Sequence, residues 1–347
     1  MKNKIAIASA FVAASSLATA EIVINDFLSF EGFVDMSYTH TDIDSDDSAA
    51  PGSDNGFGVD QVEINWLFNF DKVSGVVDFA YTGSDASGTA VNSGDDTQLE
   101  QAYATYALDE ASSITAGRFQ SMLGFEAFEP TGLYQFSFAY DNSILPAYGE
   151  GVKYNYASGD FAFGAALLSG YESYDFGRLG GSGDSSNAIE LAVSYSQDSL
   201  SFFLGAAQQD SEGATDGNTT AINAYVTYET GAWLFAGELN SGNSETGAYG
   251  AFGDDVDALS GLLMANYAYS DAASVTARVS FESFEGNDAI STEVNQTKLT
   301  LAHGYAFTDN LFLVTEVSVV ENTVETDNAA DVDTDSLAGA VELIFAF

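Results

Sequence analysis

Cysteine is missing from this chain, proline occurs only three times in 347 residues, and lysine and arginine together number 8. Without cysteine there is no disulfide framework, no thiol nucleophile and no thiolate metal centre. The shortage of bases against 52 acids removes nucleic acid as a partner, because phosphate contacts are made by clustered Lys and Arg. Also absent is any apolar run of the roughly 20 residues that a spanning helix needs. A chain so restricted enters a membrane, if at all, as strands.

The first twenty residues, MKNKIAIASAFVAASSLATA, are set apart by their own pattern. Lys2 and Lys4 precede an apolar stretch from Ile5 to Ala14, and Ala18-Thr19-Ala20 offers the small residues of a cleavage site. Residues 1–20 are therefore read as a secretory signal and 21–347 as one domain. Beyond residue 20 the balance is 6 bases against 52 acids. Such a charge in a low-complexity chain would mean disorder, yet 46% of the residues are hydrophobic and 13% aromatic.

What is present is alternation. Val62, Ile64, Trp66, Phe68 and Phe70 alternate with Gln61, Glu63, Asn65 and Asn69, and Ile189, Leu191 and Val193 alternate with Ala188, Glu190 and Ala192. A period of two marks strands with one apolar, uncharged face. The stretch SLAGAVELIFAF (336–347) repeats it, with Leu337, Val341, Leu343, Phe345 and Phe347 on one side.

Short turns at Asp71-Lys72, Asp109-Glu110, Ser158-Gly159, Gln197-Asp198, Thr230-Gly231, Ser270-Asp271 and Thr308-Asp309 alternate with long polar loops near 41–56, 83–97, 120–148, 169–187, 209–218, 241–256, 284–294 and 321–335. Seven turns and eight loops predict sixteen strands. The predicted fold class is all-β: a transmembrane antiparallel β-barrel of about 16 strands, of the outer-membrane type, whose apolar face meets lipid. Tyr195, Tyr228, Tyr267, Tyr269, Tyr305 and Phe307, beside the short turns, are read as an aromatic girdle. In 98–108 and 112–119 apolar residues occur on both faces, so the facing of Glu100 and Arg118 stays open; if Arg118 faces inward by strict alternation, Ile114 and Ala116 do too.

Residues 117 to 156, GRFQSMLGFEAFEPTGLYQFSFAYDNSILPAYGEGVKYNY, resemble the OmpL-like outer-membrane β-barrel porins. The matching elements are Gly117-Arg118-Phe119, Gly124-Phe125-Glu126, the aromatic and serine segment Tyr134 to Tyr140, Pro146, and Gly151-Val152. The resemblance implies a diffusion channel in the outer membrane of a Gram-negative bacterium, reached through the periplasm; porins of this size are often homotrimers, and the sequence leaves monomer or trimer open. Independently, sixteen strands would enclose an aqueous lumen.

On the inward face the sequence places Glu63, Asp78, Glu190, Glu229, Glu238, Glu282, Glu316 and Glu342, with Glu31 and Asp35, against Lys153, Arg278 and Lys298. A negative lumen attracts cations, so passive, cation-preferring passage of small hydrophilic solutes or ions is expected. The loop from Gln120 to Tyr148 is rich in Phe, Tyr and Leu, and is expected either to enter the lumen or to form a lid or subunit contact outside it. In the first case Glu126, Glu129 and Asp141 line a constriction opposite Arg118, Lys153, Arg278 and Lys298.

The competing expectation is a structural or adhesive surface barrel without an open pore. An enzyme is not expected, since His40 and His303 fall at opposite strand ends. Neither cofactor nor metal centre is expected. The acidic runs DIDSDD (42–47) and DVDTDS (331–336), read as outer loops, lack the glycine of a calcium loop at the sixth position. The expected partners are outer-membrane lipid and an assembly machinery that recognises the last strand through Phe345 and Phe347.

Overall fold

The computed structural model describes residues 21–46, 52–82, 97–171, 185–212, 217–245, 255–287 and 291–347. The leader read at 1–20 lies outside them, as do most of the loops read at 83–97, 169–187 and 241–256. A short strand, β1 (Ile22–Asn25), leads into β2 (Leu28–Ser45), β3 (Ser53–Phe70), β4 (Val73–Thr82), β5 (Thr97–Ala107) and β6 (Ser112–Gln120). After a long connection come β7 (Tyr148–Ser158), β8 (Phe161–Tyr171), β9 (Ser185–Gln197), β10 (Leu200–Glu212) and β11 (Gly217–Thr230). The series ends with β12 (Trp233–Ser244), β13 (Val256–Ser270), β14 (Ala273–Gly286), β15 (Thr292–Thr308), β16 (Leu311–Thr326) and β17 (Val332–Ala346).

From β2 onward each strand pairs antiparallel with the next, and β17 returns to β2, from Thr334 opposite Ser45 to Ala346 opposite Phe33. The result is a closed barrel of sixteen strands, with β1 paired to the start of β2 as an addition. Closure follows from the solvent: an unpaired backbone N–H or C=O in hydrocarbon costs several kcal/mol, about that much at every position of a free edge. Alternation then sorts the side chains. Leu191, Leu204, Leu239, Leu263, Val279 and Leu301 are exposed outward, and their neighbours Glu190, Phe203, Glu238, Leu262, Arg278 and Thr300 are buried inward.

The tight turns lie at one end of the barrel. Asp71 and Gly231 take positive φ, 54° and 61°, in two-residue hairpin loops where that geometry matches the twist of the strands. At the next turn Oδ1 of Asp109 accepts the N–H of Ala111 at 2.8 Å and of Ser112 at 2.9 Å, and these bonds hold its carboxyl below the usual range. Beside the turns the aromatic residues pair: Trp233 with Tyr267 at 4.5 Å between centroids, and Phe161 with Tyr195 at 4.7 Å. Such rings suit the lipid–water boundary.

Three expectations need correction. Many strands outrun the roughly 9–11 residues that cross a bilayer; β2 and β3 have 18 each and β15 has 17, whereas β4 to β8 keep to 9–11. The connections expected at 41–56, 209–218 and 321–335 shrink to those between Ser45 and Ser53, Glu212 and Gly217, and Thr326 and Val332. A polar stretch here marks a change of solvent, because the ladder continues above the lipid with water on both faces.

For the same reason the acidic runs are mostly strand rather than loop. Asp42 to Ser45 belong to β2 and Val332 to Ser336 to β17, and the register sets Asp335 opposite Asp44; Asp47 lies outside the described residues.

The third correction concerns β6. Arg118 is buried, while Ile114 is exposed and Thr115 buried, so Arg118 does not share the facing of Ile114 and Ala116. Gly117, with φ of 135°, breaks the alternation between them.

Candidate functional site

The connection from β6 to β7, residues 121–147, packs against the inward side chains of the barrel. Its apolar residues explain one half of that docking. Met122, Leu123, Phe125 and Ala139 join Phe119 in a cluster with Ala166, Phe203, Tyr225, Leu262 and Met264 of β8 to β13. Phe203 and Tyr225 stack at 4.6 Å with 6° between their planes, and Phe125 meets Tyr225 edge-on at 5.8 Å. Each large side chain buried in this way contributes about 1.5–3 kcal/mol. Ile144 enters a second cluster with Val256, Ala258 and Phe284.

The other half is polar. An irregular segment in a lumen must still satisfy its backbone N–H groups, and inward acids accept them. Glu190 takes the N–H of Met122 at 2.5 Å and the hydroxyl of Tyr171 at 2.6 Å. Glu238 takes the N–H of Phe125 at 2.7 Å and the hydroxyl of Tyr140 at 3.0 Å. Glu282 takes the N–H of Asp141 at 3.0 Å and the amide of Asn142 at 2.8 Å. Glu316 takes the N–H groups of Phe136 and Ser137 at 2.8 and 3.0 Å and the Ser137 hydroxyl at 2.6 Å.

The bases meet the acids of the segment directly. Arg278 Nη1 lies 2.5 Å from Oε1 of Glu126, and Lys298 Nζ bonds Oδ1 of Asp141 and donates to the Phe138 carbonyl at 3.1 Å. These pairs touch; they are not held apart across a gap. Among the described residues Glu129 forms no ion pair, and its Oε2 accepts Gln61 Nε2 at 3.1 Å. Burial pushes its carboxyl up to about 7, and the charges of Glu100 and Asp78 add to the rise.

The remaining predicted positions are dispersed. Lys153 sits over the Phe119 ring at 4.4 Å, and Arg118 over the Tyr148 ring at 5.4 Å with Nη1 3.5 Å from Glu150. Glu63, Asp78 and Glu342 are buried on the wall. Glu229 is exposed beside the Gly231 turn, at the mouth of the barrel. Phe345 lies exposed on the outer face, and Phe347 exchanges backbone hydrogen bonds with Gly32 at 2.7 and 2.9 Å.

Inward apolar residues escaped the reading of the sequence, although a signal existed. Phe202-Phe203 and Leu262-Leu263-Met264 are consecutive apolar residues where strict alternation calls for a polar one. Such a break in a barrel strand marks something apolar inside, here the docked segment. Alternation puts these acids on the inward face, but it does not reveal their hydrogen bonding to that segment, because the partners lie far away in the chain, as with Phe125 and Glu238, 113 residues apart.

Solved outer-membrane proteins share this architecture. The channel DcaP of Acinetobacter baumannii gives a TM-score of 0.66 at 12% identity, over 92% of this chain and 97% of that one. In-vitro folded OmpT of Vibrio cholerae in its trimer form gives 0.63 at 12%, over 92% and 99%. OmpF of Salmonella typhi, in complex with daunomycin, gives 0.62 at 13%, over 94% and 100%. At such identities the likeness establishes the fold. No curated protein matches the chain in sequence. The model of the family described as "Putative beta-barrel porin-2, OmpL-like" matches residues 28–347. Because that match takes in every strand of the closed barrel, from β2 to β17, the chain belongs to this OmpL-like family of porins of the Gram-negative outer membrane.

Proposed function

We propose that the barrel is a passive diffusion channel for small hydrophilic solutes and ions, that it prefers cations, and that residues 121–147 set its narrowest passage. One observation carries the reading. The bases that meet the segment, Arg278 and Lys298, are each paired with one of its acids, whereas Glu238, Glu282 and Glu316 are held by uncharged N–H and O–H donors. In the ionised form their negative charge is solvated by dipoles but not cancelled. In a low-dielectric wall it reaches farther than the about 8–10 Å over which salt screens exposed charges.

The test is the reversal potential of the purified protein in a planar bilayer under a salt gradient. A sign that marks cation selectivity supports the reading, and anion selectivity rejects it. The apolar docking of the segment against β8 to β13 favours a second reading, a surface barrel without an open pore. Liposome swelling with sugars of graded size separates the two, since a filled barrel admits none. Assembly as a homotrimer, and recognition of Phe345 and Phe347 by an assembly machinery, belong to the same proposal; an enzymatic role does not. His40 pairs across the strands with Asn55, and His303 with Thr315, far apart along the barrel.

A further inference from the structure

Three carboxylates from three adjacent strands converge on the inner wall. Glu63 of β3, Asp78 of β4 and Glu100 of β5 are 1%, 0% and 5% exposed, and one oxygen from each lies within 4.8 Å of the other two. Glu100 arrives there through a β-bulge. The β4–β5 register steps from Asp78 opposite Gln101 to Phe79 opposite Leu99, which leaves Glu100 unpaired and re-aims its side chain. Gln61 adds a fourth acid to the group, because its Nε2 donates to Glu63 Oε2 at 3.0 Å and to Glu129 Oε2 at 3.1 Å.

The donors do not balance the acceptors. Gln101 Nε2 reaches Asp78 Oδ2 at 3.3 Å and the Tyr148 hydroxyl reaches Glu100 Oε2 at 3.1 Å. Asp78 Oδ1 has no hydrogen-bond partner, although the residue is wholly buried. Arg118, a buried base beside the group, gives its Nε to the Glu100 carbonyl at 3.1 Å and turns Nη1 toward Glu150 at 3.5 Å. Three buried carboxyl groups crowd together with one oxygen orphaned, an arrangement that a bound cation would neutralise.

We propose that Glu63, Asp78 and Glu100 form a binding site for a hard divalent cation, calcium. Every donor offered is oxygen, which disfavours zinc. Calcium takes carboxylates in irregular geometry at about 2.3–2.6 Å, so oxygens separated by up to 4.8 Å fit around one ion. Magnesium, with octahedral demands at about 2.0–2.1 Å, fits a looser set of waters better. The ion neutralises the group, ties β3, β4 and β5 together at the bulge, and through Gln61 steadies Glu129 of the docked segment. The site does not depend on whether the barrel conducts.

The experiment uses the full chain folded in detergent, stripped with EDTA and titrated with terbium, a luminescent stand-in for calcium. Tyrosine-sensitised emission displaced by calcium is expected, since Tyr148 touches Glu100. Calcium is also expected to raise the temperature at which the folded form unfolds. The double substitution Glu63→Gln and Asp78→Asn keeps the shape and removes two charged ligands; it should weaken calcium binding on the order of tenfold or more and abolish the thermal shift. The exposed runs serve as the control, so Asp42→Asn, Asp44→Asn, Asp333→Asn and Asp335→Asn together should leave both signals intact. The proposal is overturned if the native chain shows no calcium-displaced emission, or if the double variant binds as well as the native chain. Should the double variant fail to fold, Glu100→Gln takes its place, with the same two outcomes.

Discussion

Arg278, on β14, and Glu126, on the docked segment, form an ion pair that ties the loop to the wall. Nη1 lies 2.5 Å from Oε1, and the same guanidinium donates to the carbonyls of Ser137 at 2.8 Å and Phe138 at 2.9 Å. Arg278 is wholly buried and the Glu126 side chain only 10% exposed, so removing one partner leaves a poorly solvated charge without compensation, a loss of up to about 3–5 kcal/mol. Arg278→Ala is therefore expected to lower stability by that order and to release residues 136–139. Single-channel recording should show larger and noisier conductance; unchanged conductance would mean that the segment does not narrow the path.

Phe203 and Phe202 are neighbours with opposite surroundings. Phe203 is 4% exposed and stacks on Tyr225 under the docked segment, whereas Phe202 is 47% exposed on the outer face. Phe203→Ala should cost about 3–5 kcal/mol through the lost burial and the cavity. Urea unfolding from lipid vesicles measures it, with Phe202→Ala as the reference. Equal costs for the two would contradict their assigned facing.

Leu263 stands outward at 67% exposure, one residue from the buried Leu262. A charge on a lipid-facing position costs about 2–4 kcal/mol at the bilayer midplane and less toward its edges. Leu263→Arg is expected to slow insertion into vesicles and to lower folding free energy within that range. No effect would mean that the position faces water.

Gly117 adopts φ of 135°, and a Cβ there would approach the Tyr103 Cα to 2.7 Å and press on the Ala102 carbonyl oxygen. Gly117→Val should cost at least about 1–3 kcal/mol of backbone strain and displace Arg118 from Glu150. Heat-induced unfolding, followed by the mobility of the folded and unfolded forms on a gel, reads the loss. Full native stability in this variant would remove the reason given for the break in alternation.

Glu282 accepts N–H groups from Asp141 and Asn142 with one oxygen and the Asn142 amide with the other. Glu282→Gln keeps an acceptor and removes one negative charge from the lumen. The reversal potential in a salt gradient should move toward that of a non-selective pore. A constant value would locate the selectivity elsewhere.

The barrel was legible in the sequence because a membrane leaves so few choices. A strand in lipid shows its neighbours only two faces, so the outward set that includes Ile64, Leu191, Val279 and Leu301 can be read one residue at a time. The short turns, such as those at Asp71 and Gly231, were equally plain. Strand ends were not, because water above the lipid lets a polar run such as Asp42 to Ser45 remain in the ladder.

What the sequence by itself determined is the class of fold, the facing of the regular strands and the excess of inward acid. All three follow from local periodicity and composition. The tertiary structure alone decided which inward acids hold the docked segment and which base meets which acid. It also decided that the bulge at Glu100 and the turn of backbone at Gly117 redirect two charged side chains. Those outcomes depend on contacts between residues far apart in the chain, such as Glu126 and Arg278, and on single-residue breaks in alternation that no period reveals.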